Sequence, residues 1–102
     1  MPHNSRIVLI ARLKAEEGLE EGLLTELCSL VEASQKEEGC IQYTLHRFMD
    51  VPTDFVIYEI WKNQKSLDEH MLQPHYLNFA FKSASMLAEQ PTIDKVEKVI
   101  LK

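Results

Sequence analysis

The chain is poor in the residues that build loops and cross-links: among 102 residues it has three glycines, four prolines and two cysteines. Two cysteines do not make a disulfide framework, and we expect Cys28 and Cys40 to be buried free thiols. A glycine-rich phosphate loop is absent, because Gly18, Gly22 and Gly39 all lie at or near predicted helix ends. These shortages exclude a disulfide scaffold and a phosphate-loop nucleotide site.

Positive charge and long apolar runs are also scarce. Eleven basic residues against sixteen acidic ones give a net charge of −5, and no basic stripe is present to neutralise nucleic-acid phosphates or anionic lipid. The longest apolar run, Ile7 to Ala11, is far too short to span a bilayer. No charged segment followed by a long apolar stretch opens the chain. We therefore expect a cytoplasmic protein with no nucleic-acid or membrane partner.

What remains is the pattern of one small domain, residues 1–102. The run Ile7-Val8-Leu9-Ile10-Ala11 predicts a first strand that is buried on both faces. A helix is predicted after Gly18, with Gly39 beyond its end as a left-handed stop signal. The helix has apolar residues at helical spacing, namely Leu19, Leu23, Leu27, Leu30 and Val31.

Residues 40–48 and 54–62 have strand composition, and the turn residues between them include Pro52. Symmetric pairing about this turn places Tyr43 opposite Glu59 and Ile41 opposite Trp61. One face of the hairpin would then carry Ile41, Tyr43, Leu45, Phe55, Ile57, Glu59 and Trp61. A register shift of one residue would reverse that assignment.

The last third of the chain predicts a helix in two pieces and a final strand. Ser66-x-x-Glu69 has the form of a capping box, which starts a short helix at Ser66. Pro74 suits the first turn of a further helix that runs to about Gln90 and ends before Pro91. Residues 92–101 then read as a final, more polar strand.

The resulting order, β-α-β-β-α-β, is that of an α+β ferredoxin-like fold with a four-stranded antiparallel sheet. Strands one and three are the most apolar and should be central. Helices would cover one face of the sheet, and the other face is too apolar to remain in water. Since two such faces can cover each other, the pattern predicts a homodimer. The uncovered face carries Val8, Ile10, Tyr58 and Ile60.

Four short motifs give the chain a family resemblance: Gly39-Cys40-x-x-Tyr43-x-Leu45, Tyr58-Glu59-x-Trp61, Leu67-x-x-His70 and Pro74-His75-Tyr76. In this order and spacing the chain resembles the antibiotic biosynthesis monooxygenase (ABM) domain family. The resemblance implies a dimeric α+β barrel made of two sheets, with a pocket between sheet and helices in each subunit. Characterised members of that family include cofactor-free monooxygenases of anthrones and quinols, haem-degrading oxygenases, and an isomerase of a phosphorylated quorum-sensing signal. The haem-degrading branch fits poorly, because it uses an Asn on the first strand and a Trp near the position of His70.

Oxidation of a quinol or anthrone without cofactor requires mainly a base with a pKa near neutrality, an apolar slot for the ring, and donors for a developing oxyanion. His70 and Glu59 are the candidate catalytic residues. Imidazole titrates near working pH, and Glu59, between Ile57 and Trp61, should have its pKa raised by desolvation unless a cation pairs with it. Each of the two could instead be structural, His70 on a helix face and Glu59 as a hydrogen-bond partner of Tyr43 or of an arginine, including one from a partner subunit.

The candidate substrate-binding residues are Tyr43, Trp61, His75 and His46. Tyr43 and Trp61 would wall the slot, although large aromatic residues are more often plain core. His75 could donate to a substrate oxygen or only order a helix start, and His46 could face a dimer interface. No metal and no cofactor are expected, since the two histidines of His70-x-x-x-x-His75 lack the zinc-helix spacing.

The sequence therefore predicts a cofactor-independent monooxygenase that acts on a small aromatic substrate with molecular oxygen. One alternative is an isomerase of a small phosphorylated keto compound, for which Arg12, Arg47 and Lys62 are the available cations. Another is a non-catalytic dimeric protein that binds a small ligand in a stress response.

Overall fold

A computed structural model of the chain describes residues 5–101; Met1 to Asn4 and Lys102, which the predicted single domain includes, lie outside them. The elements are, in chain order, β1 Ile7–Lys14, α1 Glu20–Gln35, β2 Cys40–Arg47, β3 Asp54–Trp61, α2 Gln64–His70, α3 Pro74–Ser83 and β4 Thr92–Val96. The strands form one antiparallel sheet in the order β2-β3-β1-β4. This confirms the ferredoxin-like fold and the central position of the first and third strands. No helix within residues 5–101 is both long enough and apolar enough to cross a membrane.

The central strands alternate between a covered and an uncovered face. On β1, Leu9, Ala11 and Leu13 are buried among the core residues of α1 and β3. Val8 and Ile10, which point the other way, are only half-buried. The expectation that β1 is buried on both faces is thus wrong for the single chain, because the helices cover only one side of the sheet.

We propose that a second copy of the chain covers this half-buried face, as its apolar residues suggest. Sedimentation velocity at micromolar concentration should then give a dimer, and Ile10→Lys should give a monomer because the substitution places a charge between the sheets. Leu77→Lys, an exposed position on α3, is the control and should leave the dimer intact. A monomeric wild-type chain would contradict the proposal.

The β2–β3 hairpin has the predicted register at its centre and an irregularity at its base. Tyr43 pairs with Glu59 as predicted. A bulge between Cys40 and Gln42 then places Cys40, not Ile41, opposite Trp61, and Ile41 is 45% exposed. The predicted pair Ile41–Trp61 was wrong because one strand contains an extra residue there, which no longer alternates with its neighbours.

Gly39 has a different role from the predicted helix stop. Within residues 5–101, Gly18 alone has a positive φ, 93°, and α1 ends at Gln35 with Lys36 in right-handed geometry. A Cβ on Gly39 would collide with the side chain of Ser66, and the Lys62 N–H donates to the Gly39 carbonyl at 2.8 Å. Glycine is therefore needed for close approach, which holds the α1–β2 turn against the start of α2.

Three predicted helix or strand ends were wrong. Helix α2 begins at Gln64, because Asn63 caps it by accepting a hydrogen bond from the Ser66 N–H (2.9 Å); Ser66 and Glu69 form no capping box. Helix α3 ends at Ser83, and β4 ends at Val96. Two backbone hydrogen bonds at the end of β1 explain the early end of α3. The Glu16 N–H donates to the Met86 carbonyl and the Ala88 N–H donates to the Lys14 carbonyl, both at 2.8 Å, which draws the chain toward the sheet.

Both cysteines are free, as predicted, but their burial differs from the prediction. Cys28 is exposed on α1, and Cys40 is half-buried at the start of β2. An apolar stripe on α1 that contains Leu23, Leu27 and Leu30 occupies the core side, and Cys28 lies outside it.

Candidate active site

A cavity of about 580 Å³ lies between the covered face of the sheet and the segment from α3 to β4. We call it the first cavity. Its deep wall is apolar and comes from the strands, and Tyr43 and Glu59 are the polar residues there. Its outer rim comes from residues 84–93, which are largely exposed. The complete lining is Ala11, Leu13, Leu30, Tyr43, Ile57, Glu59, Tyr76, Phe79, Ala80, Ser83, Ala84, Leu87, Glu89, Gln90, Pro91 and Ile93.

Glu59 is the buried carboxylate of this cavity. It is 4% exposed, and its Oε1 accepts a hydrogen bond of 2.9 Å from Trp61 Nε1. Desolvation raises the pKa of Glu59 to about 7; the Trp61 hydrogen bond opposes this shift, and the charge of Glu37 adds to it. Within residues 5–101 no cation forms an ion pair with Glu59. The predicted rise in the pKa is thus confirmed, and it places the carboxyl group close to neutrality.

Two phenols lie beside this carboxylate. Tyr43 is 2% exposed, and its backbone carbonyl accepts a hydrogen bond from Gln35 Nε2 (3.0 Å). Desolvation, with the charge of Glu59 as the next cause, raises the pKa of Tyr43 and of Tyr76 above the ordinary phenol value. Both phenols therefore keep their protons at neutral pH and can donate hydrogen bonds to an oxygen in the cavity.

A cluster of rings supports the inner wall of the cavity. Trp61 is fully buried, and its ring meets that of Tyr43 edge-on at 6.0 Å between centroids. His70 packs on Trp61, with 4.4 Å between centroids and a tilt of 35°, and also contacts the ring of Tyr76 at 4.9 Å. His70 is therefore part of the support of the cavity and does not itself line it.

His70 also belongs to a second polar group, which we call the Glu37–His70–His75 cluster. Glu37 Oε2 lies 2.7 Å from His70 Nδ1 and 2.7 Å from His75 Nε2. Desolvation lowers the pKa of His70, although the hydrogen bond and the charge of Glu37 act in the opposite direction. Side-chain exposure is 2% for His70, 12% for Glu37 and 24% for His75.

This cluster borders a second cavity, of about 470 Å³. The rings of Trp61 and His70 lie between it and the first cavity. Glu37 and His75 line this second cavity, and Tyr43 and Glu59 do not. Its lining consists of Ala33, Lys36, Glu37, Glu38, Gly39, Lys62, Ser66, Glu69, Gln73 and His75.

The residues predicted for one site are thus divided among four places. Glu59 and Tyr43 line the first cavity, with Trp61 directly behind Glu59. His75 lines the second cavity, and His70 lies between the two. His46 is exposed and pairs with Val56 on the uncovered face of the sheet, so the structure does not bring it to the other five.

Two residues of the site were missed by the sequence analysis. Tyr76 stands in one of the recognised motifs but was not assigned to the site, although its position after Pro74-His75 was a usable signal. Glu37 lies in the α1–β2 turn, 33 residues before His70 and 38 before His75. No local pattern marks Glu37, because its partners reach it only through the packing of α2 and α3 beside that turn.

Comparison with known proteins supports the resemblance seen in the motifs. Residues 6–81 match the model of a family described as "Antibiotic biosynthesis monooxygenase". The "Putative monooxygenase YcnE" of Bacillus subtilis is 32% identical over 91 residues, which cover 89% of this chain and 96% of that protein. The crystal structure of PA3566 from Pseudomonas aeruginosa superposes with a TM-score of 0.90 at 30% identity, and covers 98% of this chain and 100% of its own.

A longer relative comes from Synechocystis. The uncharacterized protein sll1783 of Synechocystis is 29% identical over 93 residues, which make up 91% of this chain. The chain spans 63% of the length of that relative.

Proposed function

Because the chain belongs to the antibiotic biosynthesis monooxygenase family, we propose that it oxidises a small quinol or anthrone with molecular oxygen in the first cavity. The observation that carries the proposal is the buried carboxyl group of Glu59, which has a pKa of about 7 and no cationic partner within residues 5–101. A group of this kind is ionised in a useful fraction at neutral pH and remains a stronger base than an ordinary carboxylate.

The chemistry that such a base supports can be written as a balanced sequence. The Glu59 carboxylate removes a proton from the methylene of an anthrone, and leaves an electron-rich enolate. Transfer of one electron to oxygen and recombination of the two radicals form a carbon–oxygen bond, and protonation gives a hydroperoxide. Loss of water from the hydroperoxide leaves a ketone. The sum is one methylene and one O₂ converted into one carbonyl and one water, without any further reductant.

The other residues of the cavity suit this reaction. Tyr43 and Tyr76 are protonated donors that can stabilise the enolate oxygen, an arrangement of the oxyanion-hole type. Trp61 fixes the carboxylate by its hydrogen bond, and His70 positions Trp61 by stacking. In this proposal His70 acts through Trp61 and does not itself transfer the substrate proton.

The charges of the cavity favour a neutral aromatic substrate over a phosphorylated one. Among the described residues that line it, Glu59 and Glu89 are the charged ones, and neither lysine nor arginine is present. A phosphate group would therefore meet carboxylates without a cation. The apolar strand wall is suited to a flat ring.

Oxygen uptake by the chelator-treated protein, with an anthrone and with a dihydroquinone as substrates, tests the proposal. We expect one O₂ consumed per anthrone oxidised, after subtraction of the rate without protein. Because the base acts when ionised, the rate should rise as the pH increases and reach half its maximum near pH 7, the pKa of Glu59.

Two results would contradict this proposal. Uptake that does not exceed the background with either substrate would favour a non-catalytic ligand-binding protein. Uptake with the opposite pH dependence, falling through pH 7, would mean that a protonated acid and not the Glu59 carboxylate limits the rate.

A further inference from the structure

The Glu37–His70–His75 cluster brings two imidazoles and one carboxylate to a single point. The three ligand atoms, Glu37 Oε2, His70 Nδ1 and His75 Nε2, all lie within 4.8 Å of one another. They come from three different elements: the α1–β2 turn, the end of α2 and the start of α3. The bend at Gln73-Pro74 lets two histidines five positions apart face the same oxygen, a spacing that no zinc-helix motif contains.

We propose that this cluster is a binding site for a divalent first-row transition-metal ion of the Zn²⁺ type. Two imidazole nitrogens and one carboxylate oxygen are ligands that such an ion accepts readily. Mg²⁺ and Ca²⁺ are a poor match, because they prefer sites made of oxygen atoms. The sequence expectation of no metal rested on spacing along one helix, and this cluster does not depend on such spacing.

The three ligand atoms must rearrange locally to bind a tetrahedral ion. Tetrahedral Zn²⁺, with bonds of about 2.0–2.2 Å, separates its ligand atoms by roughly 3.3 Å. Each histidine nitrogen is now 2.7 Å from Glu37 Oε2, so the oxygen must move away by roughly half an ångström to admit the ion. The two nitrogens, which lie within 4.8 Å of each other, must also reach the same spacing of roughly 3.3 Å. Glu37 lies in a turn and His75 in the first turn of α3, where such a movement disturbs no regular hydrogen bond of the sheet.

The surroundings fix the ligands and leave room for a further one. Gly39 packs against Ser66 and thereby holds the turn that carries Glu37 beside α2. The rings of Trp61 and Tyr76 pack against His70 and fix its orientation. Glu37 and His75 border the second cavity, from which water or a small ligand could complete the coordination.

This inference does not rest on the proposed oxidation, although His70 takes part in both: its ring stacks on Trp61, and its Nδ1 is one of the three metal ligands. The oxidation uses Glu59 in the first cavity, and the metal site faces the second cavity across the wall formed by Trp61 and His70. Failure of one proposal therefore leaves the other unaffected, and zinc binding is measured without any substrate.

The test is isothermal titration of the full-length, chelator-dialysed protein with Zn²⁺ near neutral pH. We expect one ion per chain, together with a rise in melting temperature on binding. Glu37→Gln and His75→Gln should each weaken binding by more than about tenfold, since even outer-shell changes cost about 10–100-fold. Co²⁺ in place of Zn²⁺ should give the strong visible absorption of a four-coordinate site in the wild type and not in these variants.

Matched controls are available outside the second cavity. Glu32→Gln changes an exposed carboxylate of α1, and His46→Gln removes the exposed histidine of β2; both should bind Zn²⁺ like the wild type. Circular dichroism establishes that each variant is folded, and His75→Gln, at a partly exposed position, keeps the test valid if Glu37→Gln is unstable. Absence of stoichiometric binding, or equal binding by the wild type and both ligand variants, would overturn the proposal and leave Glu37 as a hydrogen-bond acceptor for two histidines.

Discussion

Replacing Glu59 by glutamine should lower the rate of oxygen uptake by about 10²–10⁴-fold, the usual contribution of a positioned general base. Glutamine has nearly the same shape and can still accept the hydrogen bond from Trp61, so the cavity should keep its form. What is lost is the ability to take a proton. The measurement is the maximal rate of oxygen uptake with an anthrone, taken from the plateau of the pH profile, and compared with the wild type under saturating oxygen.

The same substitution should stabilise the fold above pH 7. The folded-state pKa of Glu59 is about 7, above the ordinary value of 4.5, so between these values the folded chain holds a proton that the unfolded chain has released. Stability therefore falls as the pH rises through this window, by up to about 3 kcal/mol as an order of magnitude. Glu59→Gln removes this loss, and urea denaturation at pH 5 and pH 8 should show a smaller difference for the variant than for the wild type.

A lower rate together with a higher stability above pH 7 in Glu59→Gln would distinguish a catalytic carboxylate from a structural one. Glu89→Gln is the matched control, because Glu89 lines the same cavity but is exposed at its rim; its rate should stay within a few-fold of the wild type. A Glu59→Gln variant that retained wild-type turnover would remove Glu59 from the mechanism.

Replacing Trp61 by alanine should cost about 3–5 kcal/mol of unfolding free energy, the range for a fully buried large aromatic residue. Trp61 is 0% exposed, packs against Tyr43 and His70, and donates the one hydrogen bond seen on Glu59 among the described residues. Its loss leaves a cavity and an unsatisfied carboxylate together. Since small domains are stable by about 5–15 kcal/mol, equilibrium urea denaturation at pH 7 should show a large part of the stability gone.

Trp61→Phe separates the loss of packing from the loss of the hydrogen bond to Glu59. Phenylalanine keeps much of the ring volume, so the stability loss should be clearly smaller than for alanine. The hydrogen bond that lowers the pKa of Glu59 is removed, so the midpoint of the pH–rate profile should move above pH 7. A loss under about 1 kcal/mol for Trp61→Ala would contradict the central packing role of Trp61.

Sequence predicts best those elements in which apolar and polar side chains repeat at a short, regular spacing. Symmetric pairing of β2 and β3 about the turn was sufficient to place Tyr43 opposite Glu59, although a slip of one residue would have reversed the two faces. The bulge after Cys40 could not be predicted, since a single extra residue leaves no mark in the pattern. The cap at Asn63 was overlooked because Ser66-x-x-Glu69, which begins three residues later, has the form of a capping box.

The candidate site also contains residues that the sequence can identify and residues that it cannot. Glu59 could be identified because a carboxylate among apolar strand residues is unusual, and its raised pKa follows from that position alone. Glu37 could not, since its significance depends on a turn meeting two helices more than thirty residues away. The separation of His70 and Glu59 by the ring of Trp61 also depends on packing that no spacing encodes.

The first cavity has one stiff side and one compliant side. Glu59, Tyr43 and Ile57 stand on strands in the middle of a hydrogen-bonded sheet. The opposite margin is the mostly exposed segment from Ala84 to Pro91, which backbone hydrogen bonds at Met86 and Ala88 connect to the end of β1. Segments of the second kind open locally at low free energy, and strands of the first kind do so only with global unfolding. Under the proposed oxidation, reactivity and substrate choice would depend on separate stretches of chain, and a change of preferred ring size could arise at the margin while Glu59 keeps its surroundings.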